Sequence, residues 1–138
     1  MKYLPPTPER SALMARIRSK DTKPELTVRR MVHALGYRYV LHDRRLPGTP
    51  DLVFPSRGAV IFVDGCFWHG HDCGKRGTPK RNAEFWERKI ARNQARDRRD
   101  RRALRALGWR VLVVRECAIR GPALVKLQLR LIGFLEGP

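Results

Sequence analysis

Three acidic residues and a histidine carry the spacing that hydrolytic chemistry needs. Pro50-Asp51 and Asp64 are separated by twelve residues, enough for a strand, a turn and a second strand. Two adjacent strands can bring such carboxylates together at a sheet edge, and paired oxygens beside a phosphate-binding surface suit a hard Mg²⁺ ion. His69 follows Asp64 by five residues and could take a proton from an attacking water or orient it. Glu25 could join them if its helix packs across the sheet. Each residue also has a plainer reading: Asp51 as a turn cap, Glu25 as part of a helix cap, His69 as an exposed loop residue.

The segment Phe62-Val63-Asp64-Gly65-Cys66-Phe67-Trp68-His69-Gly70-His71-Asp72-Cys73 is the densest in the chain. Cys66, His71 and Cys73, with the distant Cys117, supply three thiolates and one imidazole. That set suits a closed, structural tetrahedral zinc site. The spacing matches no standard finger, so three reduced thiols and a surface histidine remain an equal alternative. Phe67 and Trp68 are adjacent in a glycine-containing loop, where both cannot easily turn inward.

The chain has 138 residues with 30 Lys+Arg against 13 Asp+Glu, a net charge of +17. Such an excess calls for a polyanionic partner, nucleic acid first and an anionic membrane second. Residues 74–110 hold 14 of the basic residues and four acids, or +10 of the total. A solvated helix face would be the usual explanation of such a run. With Trp86 and Asn93 interleaved among the charges, a phosphate-contacting helix fits better. No apolar run is long enough for a membrane span, and the first ten residues lack a signal peptide's apolar stretch. The expected location is the cytoplasm.

These groups need elements to hold them. Residues 1–21 read as a basic N-terminal arm, with a helical patch possible at Ser11–Arg18, and residues 22–138 as one domain. Thr22-Lys23-Pro24-Glu25 opens a helix with a capping-box pattern, carried by Val28, Met31, Val32 and Leu35 and stopped at Gly36. Tyr37–Leu41 is a candidate strand. Residues 46–50 form a turn-rich approach to a hairpin of Asp51–Phe54 and Ala59–Val63, and the second of these runs is apolar throughout. After the loop at 64–81, Asn82–Leu107 reads as a long polar helix anchored by Phe85, Ile90, Leu104 and Leu107. Trp109–Val114 is a buried strand and Pro122–Phe134 a final helix. The fold class is α/β, a single domain with a central mixed sheet flanked by helices.

Pro50-Asp51…Phe62-Val63-Asp64-Gly65 resembles the hairpin of the restriction-endonuclease-like core. A longer set resembles the very short patch repair endonuclease family: residues 18–25, Leu46-Pro47-Gly48-Thr49-Pro50-Asp51, Gly65 to Cys73, Glu84-Phe85-Trp86, Lys89-Ile90, Asn93, residues 96–100, Gly108-Trp109-Arg110-Val111 and Glu116-Cys117. The match runs from about residue 9 to about 121.

The resemblance implies a Mg²⁺-dependent nickase acting 5′ to the T of a T:G mismatch left by 5-methylcytosine deamination. It implies two Mg²⁺ ions and one structural zinc. Asp51 would bind Mg²⁺ with help from the Val63 carbonyl, while Glu25 and His69 hold metal-bound and attacking waters. Cys66, His71, Cys73 and Cys117 would hold the zinc. Phe67, Trp68 and Trp86 would wedge open the duplex, Lys89 and Asn93 would touch the mismatched pair, and Met14 would insert from the minor groove.

Two departures stand out. Some family members carry His where Asp64 stands, so Asp64 ranks below Asp51 as a metal or water ligand. The lysine of the broader core is missing, with Cys66 near its place. The partners implied are T:G duplex DNA, a mismatch-repair protein and a cytosine-5 methyltransferase, with the enzyme a monomer in a bacterial cytoplasm, at the nucleoid. The alternatives are a nickase or restriction-type nuclease with another target, and a catalytically silent zinc-stabilised DNA-binding module.

Overall fold

A computed structural model of the chain describes residues 22–65 and 82–137. Helix α1 spans Lys23–Ala34. Its start follows from local chemistry: the Thr22 hydroxyl accepts a hydrogen bond from the Glu25 N–H at 3.4 Å, and Pro24 occupies the first turn, where no N–H is needed. Val28 and Val32, one helical turn apart, are fully buried. Gly36, at φ +92°, carries the chain out of the helix in a conformation that favours glycine.

Four strands follow: β1 (Val40–Leu41), β2 (Leu52–Phe54), β3 (Ala59–Asp64) and β4 (Arg110–Arg115). They lie in the order β1-β2-β3-β4, with β1, β2 and β3 antiparallel in turn and β4 parallel to β3. A short 3-10 turn at Pro55–Arg57, ended by left-handed Gly58, closes the β2–β3 hairpin. Helix α2 (Ala83–Ala106) makes the crossover that a parallel pair requires, and α3 (Ala123–Glu136) ends the described chain. The element order expected from the sequence is the one observed.

Strand alternation divides the core into two layers. Leu52, Phe54, Ala59, Ile61 and Val114 face Val28 and Val32 of α1 and Leu127, Leu131 and Leu135 of α3. Val53, Val60 and Phe62 face the other way, onto Leu104 of α2. The sheet is therefore covered on both sides, which is why β3 reads as an unbroken apolar run. The C-terminal end of α3 is pinned from below: Arg57 donates to the Leu135 carbonyl, Arg110 to that of Phe134, and the Tyr37 hydroxyl to Glu136.

Two local expectations shift. The strand at 37–41 shrinks to two residues, because Tyr37 turns inward to reach Glu136. In α2, Phe85 is only half-buried and Leu107 is 64% exposed, whereas Trp86 is 6% exposed. Leu104 lies eighteen residues beyond Trp86, five turns at 3.6 residues per turn, so those two share the inward stripe with Ile90. Leu107 is the C-cap, where the chain leaves the helix and the stripe ends.

Candidate active site

Glu25, His42 and Asp51 converge at one end of the sheet, with a ligand atom of each within 4.8 Å of the others. Each comes from a different element. Glu25 is in the first turn of α1 and is 1% exposed. Its carboxylate does not simply complete a helix cap. It faces His42, whose Nε2 lies 3.0 Å from Oε1 and 2.9 Å from Oε2, and it forms an ion pair with Arg29 one turn along.

His42 follows β1. The register Leu41 opposite Leu52 carries on to His42 opposite Asp51, and the His42 N–H donates to the Asp51 carbonyl at 3.1 Å. His42 and Thr49 both hold left-handed backbone, at φ 47° each. For a β-branched threonine two residues before Asp51 this is a strained conformation, of the kind that gathers at functional sites. Gly48, at φ +77°, is required for a second reason. A Cβ there would meet the Asp100 Cβ at 3.0 Å and two ring atoms of Phe62 at 3.3 Å. The 46–50 loop thus threads between α2 and the sheet to deliver Asp51.

Asp51 accepts a hydrogen bond from the Val63 N–H at 2.7 Å. Its pKa is nevertheless raised to about 7. Burial is the largest cause; the Val63 N–H opposes it, and the charge and hydrogen bond of Glu25, with the charge of Asp64, add to the rise. Among the described residues, the charged side chains that act on Asp51 are both acidic. Oxygen and nitrogen donors converging on such a point are what a divalent cation takes, so the residues present fit one.

Asp64, the last residue of β3, has a different environment. It is 5% exposed, and Arg101 of α2 donates to its Oδ2 at 2.6 Å. The Arg101 guanidinium also lies 4.8 Å from the centroid of the Phe62 ring. Among the described residues its buried Nε meets no hydrogen-bond partner. Asp64 stands outside the group formed by Glu25, His42 and Asp51.

Of the residues singled out in the sequence, Glu25 and Asp51 come together, and Asp64 lies nearby in an ion pair. Val63 contributes its N–H to Asp51. Cys117 sits half-buried on a 3-10 turn, Glu116–Ile119. Trp86 packs edge-to-face on Phe85 at 5.2 Å, and the Lys89 ammonium lies 5.8 Å from the Trp86 ring centroid, with Asn93 half-buried one turn on. Met14, Cys66, Phe67, Trp68, His69, His71 and Cys73 lie outside the described residues. Sequence reasoning missed His42 and Arg101. The signal for His42 was the pairing of β1 with β2, which sets it opposite Asp51.

The outer face of α2, the helix that carries Arg101, is basic. Arg88, Arg92, Arg96, Arg98, Arg99, Arg102 and Arg105 are all exposed. No helix among the described residues is long and apolar enough to cross a membrane.

Comparison with known proteins agrees with this architecture and with the resemblance in the sequence. Residues 5–75 match the family model of the DNA mismatch endonuclease Vsr. The chain is 50% identical over 125 residues to the type II nicking enzyme V.XorIIP of Xanthomonas oryzae pv. oryzae, covering 90% of this chain and 92% of that one. It is 45% identical over 112 residues to the DNA mismatch endonuclease Vsr of Escherichia coli, covering 81% and 72%. Among solved structures, the catalytic domain of the homing endonuclease I-Bth0305I superposes with a TM-score of 0.50 at 18% identity, covering 83% of this chain and 94% of that one. That likeness shows the restriction-endonuclease-like fold. The chain is an endonuclease and belongs to the Vsr family of DNA mismatch endonucleases.

Proposed function

We propose that this endonuclease nicks one DNA strand 5′ to the T of a T:G mismatch, using Mg²⁺, and so begins the repair of deaminated 5-methylcytosine. The observation that carries the reading is the convergence of Glu25 and Asp51 beside a basic helix in a chain of this family. Asp51 and Glu25 would hold the ion. Bound there, it would polarise the scissile phosphate and lower the pKa of a water. Two ions are expected, as in in-line hydrolysis leaving 5′-phosphate and 3′-hydroxyl ends.

The chain's own residues divide the remaining work. The Val63 N–H orients the Asp51 carboxylate, and its carbonyl is a further oxygen donor. Arg29 and His42 orient Glu25. His69 would accept a proton from the attacking water. Asp64, on Arg101, is a water-holding candidate of lower rank. The exposed arginines of α2 would track the phosphates, and residues 1–21, with Met14, would act as an arm in the minor groove.

Mismatch choice would rest on a wedge of Phe67 and Trp68, backed by Trp86, which is 6% exposed and packs on Phe85, with Lys89 and Asn93 at the mismatched pair. Unstacking costs a few kcal/mol and is least at a weakened pair, while a base stacked on an aromatic ring returns ~1–3 kcal/mol. A zinc held by Cys66, His71, Cys73 and Cys117 would keep wedge and His69 in register. A monomer suits a single lesion on one strand. We place the enzyme in the cytoplasm at the nucleoid, alongside a cytosine-5 methyltransferase and a mismatch-repair protein.

A second reading keeps the same chemistry with another target, and the nicking-enzyme relative favours it. A labelled duplex with one T:G pair separates the two, run with matched and other-mismatch controls in Mg²⁺ or EDTA. The first reading expects a Mg²⁺-dependent cut of the T strand alone. Equal cutting of matched DNA would favour the second, and no cutting of any duplex would sink both.

A further inference from the structure

Building on the metal reading above, we infer that His42 is a nitrogen ligand of the catalytic cation, so that the centre prefers Mn²⁺ over Mg²⁺. If His42 served only to hold Glu25, its contact with that carboxylate would suffice. The geometry goes further. His42 Nε2 meets both Glu25 oxygens at 2.9–3.0 Å, and the same three-residue group includes an Asp51 oxygen within 4.8 Å. Glu25 already has Arg29 as a charge partner, so it does not depend on the imidazole for neutralisation.

The backbone aims His42 at this point. Its N–H is fixed to the Asp51 carbonyl at 3.1 Å, and its φ of 47° is left-handed. The backbones of His42 and Asp51 are therefore tied directly across the β1–β2 edge. One imidazole with two carboxylates is a mixed donor set. Mg²⁺ favours oxygen ligands and keeps its waters, whereas first-row transition ions take imidazole nitrogen readily. Loss of the nitrogen should therefore hurt Mn²⁺ more than Mg²⁺.

The test uses the full-length chain and His42→Gln, which retains a hydrogen-bonding side chain toward Glu25. Calorimetric titration with MnCl₂ and with MgCl₂ reads affinity, and pulsed EPR of bound Mn²⁺ reads coupling to ligand nitrogen. The expected result is a loss of about tenfold or more in Mn²⁺ affinity, less than about threefold in Mg²⁺ affinity, and disappearance of the imidazole coupling. A matched metal-free melting curve for wild type and variant shows that both are folded. An equal loss for the two ions, or a nitrogen coupling that survives in the variant, overturns the assignment. Asp51→Asn separates the layers of the argument, because it should weaken both ions. A wild-type chain that binds neither ion overturns the metal reading as well, whereas binding that is unchanged in His42→Gln overturns this inference alone.

Discussion

Asp51 and Asp64 are the same residue type, set near each other at the ends of neighbouring strands, yet their surroundings are opposite. Asp64 is closed off by Arg101, which bonds to it at 2.6 Å. Among the described residues, Asp51 accepts from the Val63 N–H, and the charges that act on it are those of Glu25 and Asp64, both acidic. One aspartate is paired with a guanidinium, and the other lies beside two carboxylates. The difference teaches that environment separates two like residues: Asp64 is held in an ion pair, while Asp51 sits where burial and neighbouring carboxylates disfavour its charge.

The largest expected effect is on catalysis. Asp51→Asn should lower the nicking rate by about three orders of magnitude, since a bound metal supplies several kcal/mol of transition-state stabilisation. Gel-shift binding to the same duplex should change little. Retained nicking would remove Asp51 from the centre.

Next comes a stability change specific to the other aspartate. Asp64→Asn leaves the Arg101 guanidinium buried without its counter-charge, and chemical denaturation should show a loss of about 3 kcal/mol. Asp51→Asn, measured in metal-free buffer at about pH 8, should show no loss or a gain, because it removes a carboxylate that burial and Glu25 disfavour. Equal losses in the two variants would erase the contrast.

Smaller is the effect of Gly48→Ala, which strains a left-handed turn and presses on Asp100 and Phe62. A loss of about 1–3 kcal/mol in denaturant, with reduced nicking, is expected, because this loop delivers Asp51. An unchanged variant would mean that the loop yields easily.

The mildest effect is a pH dependence. The folded-state pKa of Asp51, about 7, lies above the ordinary aspartate value of 3.8. The folded chain therefore binds that proton more tightly than the unfolded chain. This contribution to metal-free stability is complete below about pH 4 and is lost as pH rises toward 7. Asp51→Asn should remove that slope from melting curves taken across the window, and a slope that persists unchanged would place the titration elsewhere.

Much of this centre was legible in the sequence because its signals are local. Pro50-Asp51 before a short strand, a turn and an apolar run specifies the hairpin, and Thr22-x-x-Glu25 specifies the start of α1. His42 was not legible, since its place depends on the register of a two-residue edge strand that carries little pattern. Arg101 was hidden differently. In sequence it is one more arginine in a charged run, and only the packing of α2 on Phe62 distinguishes it from its exposed neighbours. Trp86 could have been placed inward by its five-turn spacing from Leu104, but aromatic residues among arginines also suit a nucleic-acid face. The zinc set of Cys66, His71, Cys73 and Cys117 rests on residue type and the resemblance, and the wedge at Phe67 and Trp68 on the resemblance; of these residues Cys117 alone lies among the described ones.

The central claim is that Asp51, rather than Asp64, is the residue a divalent cation completes. Thermal melting of wild type, Asp51→Asn and Asp64→Asn, each with and without added Mg²⁺, tests it most directly. The account predicts that Mg²⁺ raises the Tm of wild type and of Asp64→Asn, and leaves Asp51→Asn unmoved. A Mg²⁺-induced rise that survives in Asp51→Asn and vanishes in Asp64→Asn would contradict it.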